Sequence, residues 1–275
     1  GRGRSANRRQ AAGCAVGVMA ASSLDALQER IAEEANAAVR EGLPAKAVEL
    51  DQLLKELTER LDAQADCEKW VPTKQELAEF TRARAAAAAA EAGDAAAGAK
   101  KRKLHDADSG TVAAIERGED LKAGVIPPEV KVNPEIVAAV RLMTVKITES
   151  IDLLGKVKTW VQLQIPRIED GNNFGVEVQE ECVSELHRVE DTGFTVLEST
   201  SKYHQIRAQL CHKMTKHSTL EDYREACLEY DRVQVEIIKL TVMDMCHNLY
   251  MLHDMLTKNL DKIIKPRTEN SHGMY

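Results

Sequence analysis

Four residues have a spacing that suits metal chemistry. Counted from Asp170 as position one, Asn172, Gly175 and Glu181 fall at positions three, six and twelve of a calcium-binding helix–loop–helix. Position five is Phe174, which has no oxygen to offer an ion. Glu177 stands where an apolar residue is usual, and the chain has no second loop to pair with the first. Calcium binding is therefore the weakest reading of this stretch. Asp244-Met245-Cys246-His247 is a single DxxH, whereas a di-iron bundle needs paired ExxH motifs and further glutamates. His204, Cys211 and His212 share one expected helix, but Cys211 and His212 are adjacent and so face different directions. The cysteines at 14, 67, 182, 211, 227 and 246 show no CxxC pairing and read as small, reduced, mainly apolar thiols. No GxSxG, HExxH or phosphate-binding loop occurs. The expectation is a protein without a metal, a cofactor or catalytic residues, which makes and breaks no bonds.

The same stretch makes better sense as a shaped turn. Ile165-Pro166-Arg167-Ile168-Glu169-Asp170-Gly171-Asn172-Asn173-Phe174-Gly175-Val176 interrupts two long runs of helical sequence. Pro166 lacks an N–H and disfavours helix in the residue before it, so the preceding helix should end near Ile165. Gly171, Asn172, Asn173 and Gly175 tolerate the left-handed conformations of a sharp reversal. Such a loop presents a shape: Pro166 and the glycines fix it, Asn172 offers donors and acceptors, and Phe174 is expected to anchor its base.

The elements that must hold this loop are helices. Aromatic residues make up only 4% of the 275, while Ala, Leu, Glu and Lys abound, which favours helix over sheet. Ser22 or Ser23 can cap a first helix through Leu24, Leu27, Ile31 and Ala35. Gly42-Leu43-Pro44 should kink or break it before a second run with Val48, Leu50, Leu53, Leu54, Leu57 and Leu61. Thr73-Lys74-Gln75-Glu76 has the form of a capping box. Three long helices follow. The first opens at Asn133-Pro134 and carries Ile136, Val140, Met143, Ile147, Ile151, Leu154, Val157 and Val161. The next runs from near Val176 to Met214, with Gly193 a tolerated cost of about 1 kcal/mol against alanine. The last extends from Leu220 to about Ile264, or roughly 65 Å. It is apolar on more than one side, with Val233, Ile237, Leu240 and Met251 but also Val235, Ile238, Val242 and Met245. One buried stripe serves a lone bundle, so the second either lies in the centre of a monomer or meets another subunit.

The expected organisation is a disordered extension over 1–21 and an N-terminal helical segment over 22–84, kinked near Pro44. An Ala-rich and basic linker follows over 85–132, then three long helices over 133–265 with the loop at 166–176, and a flexible tail over 266–275. Net charge is −7 and the pI about 5.7, which argues against a general nucleic-acid binder. No apolar run approaches the roughly 20 residues that cross a membrane.

Val161-Gln162-Leu163-Gln164-Ile165-Pro166 and the Arg-Ile-Glu-Asp-Gly-Asn-Asn-Phe-Gly-Val that follows resemble the activation loop of the 11S (REG) proteasome activators. Glu221-Asp222-Tyr223-Arg224, Leu252-His253-Asp254-Met255, Lys258-Asn259-Leu260 and Lys265-Pro266-Arg267 also agree with that family, with a weaker echo in Glu49 to Glu56. The resemblance covers Asn133 to Tyr275 well, Leu24 to Leu61 loosely and the region between hardly at all. It implies an all-α, four-helix-bundle protomer of long antiparallel helices, assembled into a homo-oligomeric ring of seven. The implied function is ATP-independent activation of the 20S proteasome, whose α-subunits would be the partner. Pro166, Arg167, Glu169, Asp170, Gly171, Asn172, Asn173, Phe174 and Gly175 then form the gate-opening loop, with Asn172 matching the family's critical asparagine. Gly273, Met274 and Tyr275 end a tail that docks between α-subunits through its terminal carboxylate.

Lys100-Lys101-Arg102-Lys103 reads as a nuclear-import signal, and a basic linker also occurs in the nuclear gamma-type branch of that family. The nucleus is the expected compartment, with the cytoplasm second. The alternative to an activator is a non-enzymatic nuclear helical scaffold or oligomerisation protein, in which the loop is only a turn.

Overall fold

The computed structural model describes residues 23–63, 67–95, 125–169, 171 and 173–267, with the backbone alone at 90–95. Among these residues all regular structure is helical. Helix α1 spans residues 23–37 and runs into a turn of π-helix, Ala38–Gly42, and then into α2, Leu43–Ala63. A 3-10 turn, Cys67–Trp70, precedes α3, Lys74–Ala95. The three long helices are α4 (Pro134–Gln164), α5 (Phe174–Lys216) and α6 (Glu221–Ile264).

The kink or break expected at Gly42-Leu43-Pro44 takes the form of this π turn. The Leu43 N–H bonds to the carbonyl of Ala38, five residues back. Pro44 has no N–H to give, and in a regular helix its ring meets the carbonyl four residues earlier. Widening the turn by one residue lets the helix bend without stopping. Gly42 faces Leu153 of α4, and a Cβ there would lie 2.9 Å from Leu153 Cδ1. Helix α3 runs eleven residues into the segment read as Ala-rich linker, because alanine is the best helix former even with little to bury. Residues 96–124 of that segment, the extension over 1–21 and the tail from 268 onward lie outside the described residues.

The chain divides into two compact units, and α4, α5 and α6 each contribute to both. The first unit takes the chain to Thr58, then 141–199 and 238–275. Its four helical arms run antiparallel in sequence order, as paired contacts require: Lys46–Glu149 with Lys146–Glu49 (α2 to α4), Lys158–Glu190 with Ile151–Gly193 (α4 to α5) and Arg188–Asn248 with Gln179–Ile263 (α5 to α6). Buried α6 positions Ile238, Val242, Met245, Leu249, Leu252 and Leu256 step by four and three, with Ile263 seven further on, the repeat of a left-handed packing seam. On α4 the same stepping buries Met143, Ile147, Leu154, Val157 and Val161, but at the next step it places Ser150, not Ile151, in the core. Ser150 Oγ donates to the Lys146 carbonyl and so carries no unmet polar group inside. Ile151 lies instead over Gly193, where a Cβ would come within 2.8 Å of Ile151 Cγ1. Gly193 thus serves close helix packing, a return on its propensity cost that periodicity alone does not show.

The second unit comprises 59–140 and 200–237. Cys67, Val71, Leu77, Met214, Cys227 and Leu228 form its apolar cluster. Beside it, fully buried Asp231 accepts from Tyr203 Oη at 2.8 Å and from Arg207 Nε at 2.8 Å, and Arg207 also donates to the Lys131 carbonyl. Thr73 and Glu76 form the expected reciprocal capping box at the start of α3. The five described cysteines are free thiols, and the sulfurs of Cys211 and Cys227 lie 3.5 Å apart.

Candidate functional site

At one end of the first unit, the α4–α5 loop meets the end of α6. Helix α4 stops at Gln164 because Pro166 follows, and the Ile165 N–H closes the last turn on the Gln162 carbonyl. Helix α6 stops at Ile264 for the same reason, with Pro266 next in line and the Lys265 N–H bonded to the Asp261 carbonyl. Each stop leaves carbonyls without helical partners. One side chain serves both: buried Gln179 donates from Nε2 to the Gln164 carbonyl at 3.1 Å and to the Ile263 carbonyl at 2.7 Å. Gln179 stands on the buried face of α5, with Gly175, Cys182, Leu186 and Val189. A lone amide on an otherwise apolar stripe is the sequence signal for this role.

Helix α5 begins at Phe174, two residues earlier than the periodicity suggested, with the Asn173 carbonyl accepting from the Glu177 N–H. Asn173 Nδ2 donates back to the Glu169 carbonyl at 3.3 Å. Gly171 has φ +85°, a left-handed conformation that glycine adopts without cost. Gly175 is required for a different reason. It is buried against the tail base, and a Cβ there would lie 2.0 Å from the Pro266 carbonyl oxygen.

Phe174 does not anchor the base of the loop. Its ring is 69% exposed, with Lys262 Nζ 6.0 Å from the centroid as its ring contact. Pro266 already fills the space against the first turn of α5, so the ring at the helix start points outward. Ile168 is fully exposed as well, and the described loop therefore shows two large apolar side chains to solvent. Pro166 is half-buried, and Arg167, Glu169, Gly171 and Asn173 are exposed.

The first residues of the expected free tail are not free either. Pro266 and Arg267 are half-buried. Arg267 Nη2 donates to the Arg167 carbonyl at 2.8 Å and lies 3.4 Å from Asn173 Oδ1, while Nη1 pairs with Glu169 Oε2 at 2.9 Å. A planar guanidinium with several donors in fixed directions suits such a three-way contact. Sequence reading placed Arg267 at the start of the mobile tail, since nothing in a Pro-Arg pair reveals a partner 100 residues away.

The calcium-loop spacing does not fold as a loop. From position five onward its residues are helical, and Gly175 is packed on Pro266. Among the described residues no group of three His, Cys, Asp or Glu side chains is placed to hold a metal ion. Asp170, Asn172, the basic run Lys100, Lys101, Arg102 and Lys103, and the tail end Gly273, Met274 and Tyr275 lie outside the described residues. No described helix is long and apolar enough to cross a membrane.

Comparison with known proteins agrees with this architecture. The family model described as proteasome activator PA28, C-terminal, matches residues 129–273, which include the loop and most of the tail. Proteasome activator complex subunit 3 of chicken is 34% identical over 257 residues, 92% of this chain and 94% of the relative. The human protein of the same name is 34% identical over 259 residues, with the same coverage. Both alignments extend through more of the chain than the segments whose motifs carry the resemblance. The crystal structure of the 11S subunit of the Plasmodium falciparum proteasome, PA28, superposes with a TM-score of 0.62 at 26% identity, covering 90% of this chain and 91% of the other.

Proposed function

We propose, since this chain belongs to the PA28 family of proteasome activators, that it is an ATP-independent activator of the 20S proteasome. The single observation that carries this reading is the junction at which the 165–173 loop and the base of the C-terminal tail are built against each other. An activator of this type must dock and then displace part of its partner. The tail, ending in Gly273-Met274-Tyr275, docks between α-subunits, and the loop, with Asn172 at its centre, shifts the gate. Pro166, Arg167, Glu169, Asp170, Gly171, Asn173, Phe174 and Gly175 form or support the surface that meets the partner. The chain itself makes and breaks no bond, and it carries no nucleotide-binding loop with which to spend ATP.

The active form is a homo-oligomeric ring, seven-membered by family resemblance. The two apolar sides of α6 support this. Val235, Ile238, Val242 and Met245 are buried, whereas Leu240 is 55% and Met251 69% exposed, with Val233 and Ile237 also on the surface. The exposed set is available to a neighbouring copy. Tails that bind weakly one at a time gain from effective concentration once several sit on one ring. Lys100-Lys101-Arg102-Lys103 directs the protein to the nucleus, in keeping with its subunit-3, gamma-type relatives.

Two variants separate docking from opening. Asn172→Tyr is expected to bind the core particle but leave peptide hydrolysis at its latent level. Removal of Ser271 to Tyr275 is expected to abolish stable binding. Normal stimulation by the first variant, or undiminished binding by the second, would overturn the assignment of that part.

A further inference from the structure

We infer that Arg267 is a positioning residue that locks the α4–α5 loop, at Arg167, Glu169 and Asn173, to the base of the docking tail, so that the loop and the tail base Pro266-Arg267 act as one unit. The inference rests on the activator reading for its consequence, but not for its geometry.

Three observations carry it. Arg267 touches the loop at both of its ends: the Arg167 carbonyl and the Glu169 carboxylate on the ascending side, and Asn173 Oδ1 where α5 begins. Its side chain is only 19% exposed, so it is fixed in place and not swept through solvent. The backbone just before it is fixed too, because Pro266 lies where any side chain at 175 would have to go. A residue one position beyond a helix-stopping proline has no helical reason to be ordered. Here it is ordered by the loop, and the loop is ordered by it. Elsewhere the loop is held by the Asn173 Nδ2 bond to the Glu169 carbonyl, and the bond from Gln179 stands at the helix end behind it. Neither reaches the Arg167 carbonyl, which among the described residues is bonded by Arg267.

The consequence is mechanical. Residues 268–275 continue directly from Arg267, so whatever holds the tail end in its pocket is joined through about eight residues to the group that shapes the loop. Tail docking alone fixes where the ring sits. The guanidinium fixes where the loop sits relative to that docked base. Lysine cannot replace it, because a single ammonium does not carry two separate donor groups to reach a carbonyl, a carboxylate and an amide oxygen together.

The test uses the full-length protein, carrying Arg267→Ala, Arg267→Lys, Glu169→Ala or Arg267→Ala together with Glu169→Ala, with latent 20S proteasome and a fluorogenic peptide. Two quantities are read: the activator concentration giving half-maximal stimulation, which reports docking, and the maximal stimulation, which reports the gate. Arg267→Ala is expected to lower maximal stimulation by about tenfold or more while shifting the half-maximal concentration by less than about threefold. Arg267→Lys should resemble it, and Glu169→Ala should give a smaller loss that does not add to that of Arg267→Ala. Wild-type maximal stimulation by Arg267→Ala, or loss of docking in parallel with stimulation, would overturn the inference. Amide hydrogen exchange keeps it testable if the wild-type protein fails to stimulate or a variant folds poorly. Exchange at 167–174 should quicken about tenfold in Arg267→Ala, and in the milder Glu169→Ala by less, with exchange in α5 beyond Gln179 unchanged. Unchanged loop exchange would sink the inference whatever the proteasome assay gives.

Discussion

Gly175 and Gly193 look alike in the sequence, as single glycines in one long helix, yet the atoms they face differ in kind. A methyl at 193 would press on the Ile151 side chain at 2.8 Å, and a side chain can rotate away. A methyl at 175 would press on the Pro266 backbone at 2.0 Å, and that backbone can retreat only by carrying Arg267 off the loop. Gly175→Ala is expected to cost about 1–3 kcal/mol of stability through overpacking, and Gly193→Ala less, because the gain in helix propensity offsets part of the crowding. Only Gly175→Ala should also lose proteasome stimulation, as peptide hydrolysis would show; equal stimulation by both variants would contradict the coupling of loop and tail base. The glycine at 175 was legible as a turn residue, but its reason was not. Sequence suggested freedom at φ, whereas the structure uses the missing Cβ, and such a close approach is visible only once the partner backbone is in place. Phe174 was misjudged for the same reason. An aromatic at a loop base is a natural anchor until another segment already occupies the space.

At the scale of elements, the helices were largely legible because their apolar residues recur at three and four. The three-and-four stepping of α4 fixed which face turns inward, apart from the exchange of Ile151 for Ser150, which a satisfied hydroxyl makes possible. The π turn at Ala38–Gly42 was not legible, since Gly-Leu-Pro signals a disturbance without saying whether the helix breaks or widens. Polar ties between helices were also hidden. In the second unit the Tyr203–Asp231–Arg207 group is held at full burial, with Asp231 balancing the charge of Arg207. Asp231→Ala would leave a buried guanidinium without its counter-charge, and should cost about 3–5 kcal/mol. Urea denaturation would check this; a loss below about 1 kcal/mol would mean that the guanidinium finds water and that the pair is not structural.

At the scale of the whole molecule, the two apolar sides of α6 posed a question that sequence left open, and burial divides them into a core stripe and a surface stripe. The surface stripe is where a ring contact is expected. Leu240→Glu adds a charge at an exposed site, so the protomer should keep its helicity while light scattering shows the oligomer falling apart. An unchanged particle mass would remove α6 from the interface. Family and function were legible in one loop and a few helix motifs. What the loop rests on was not, because Pro266 and Arg267 reach it from about a hundred residues further along the chain. The central claim is that this assembly opens a latent protease without ATP. The most direct test is hydrolysis of a fluorogenic peptide by latent 20S proteasome, with and without the full-length protein and with no nucleotide present. The account predicts clear stimulation that saturates with added protein. Hydrolysis unchanged by a sample shown to be a folded ring would contradict it.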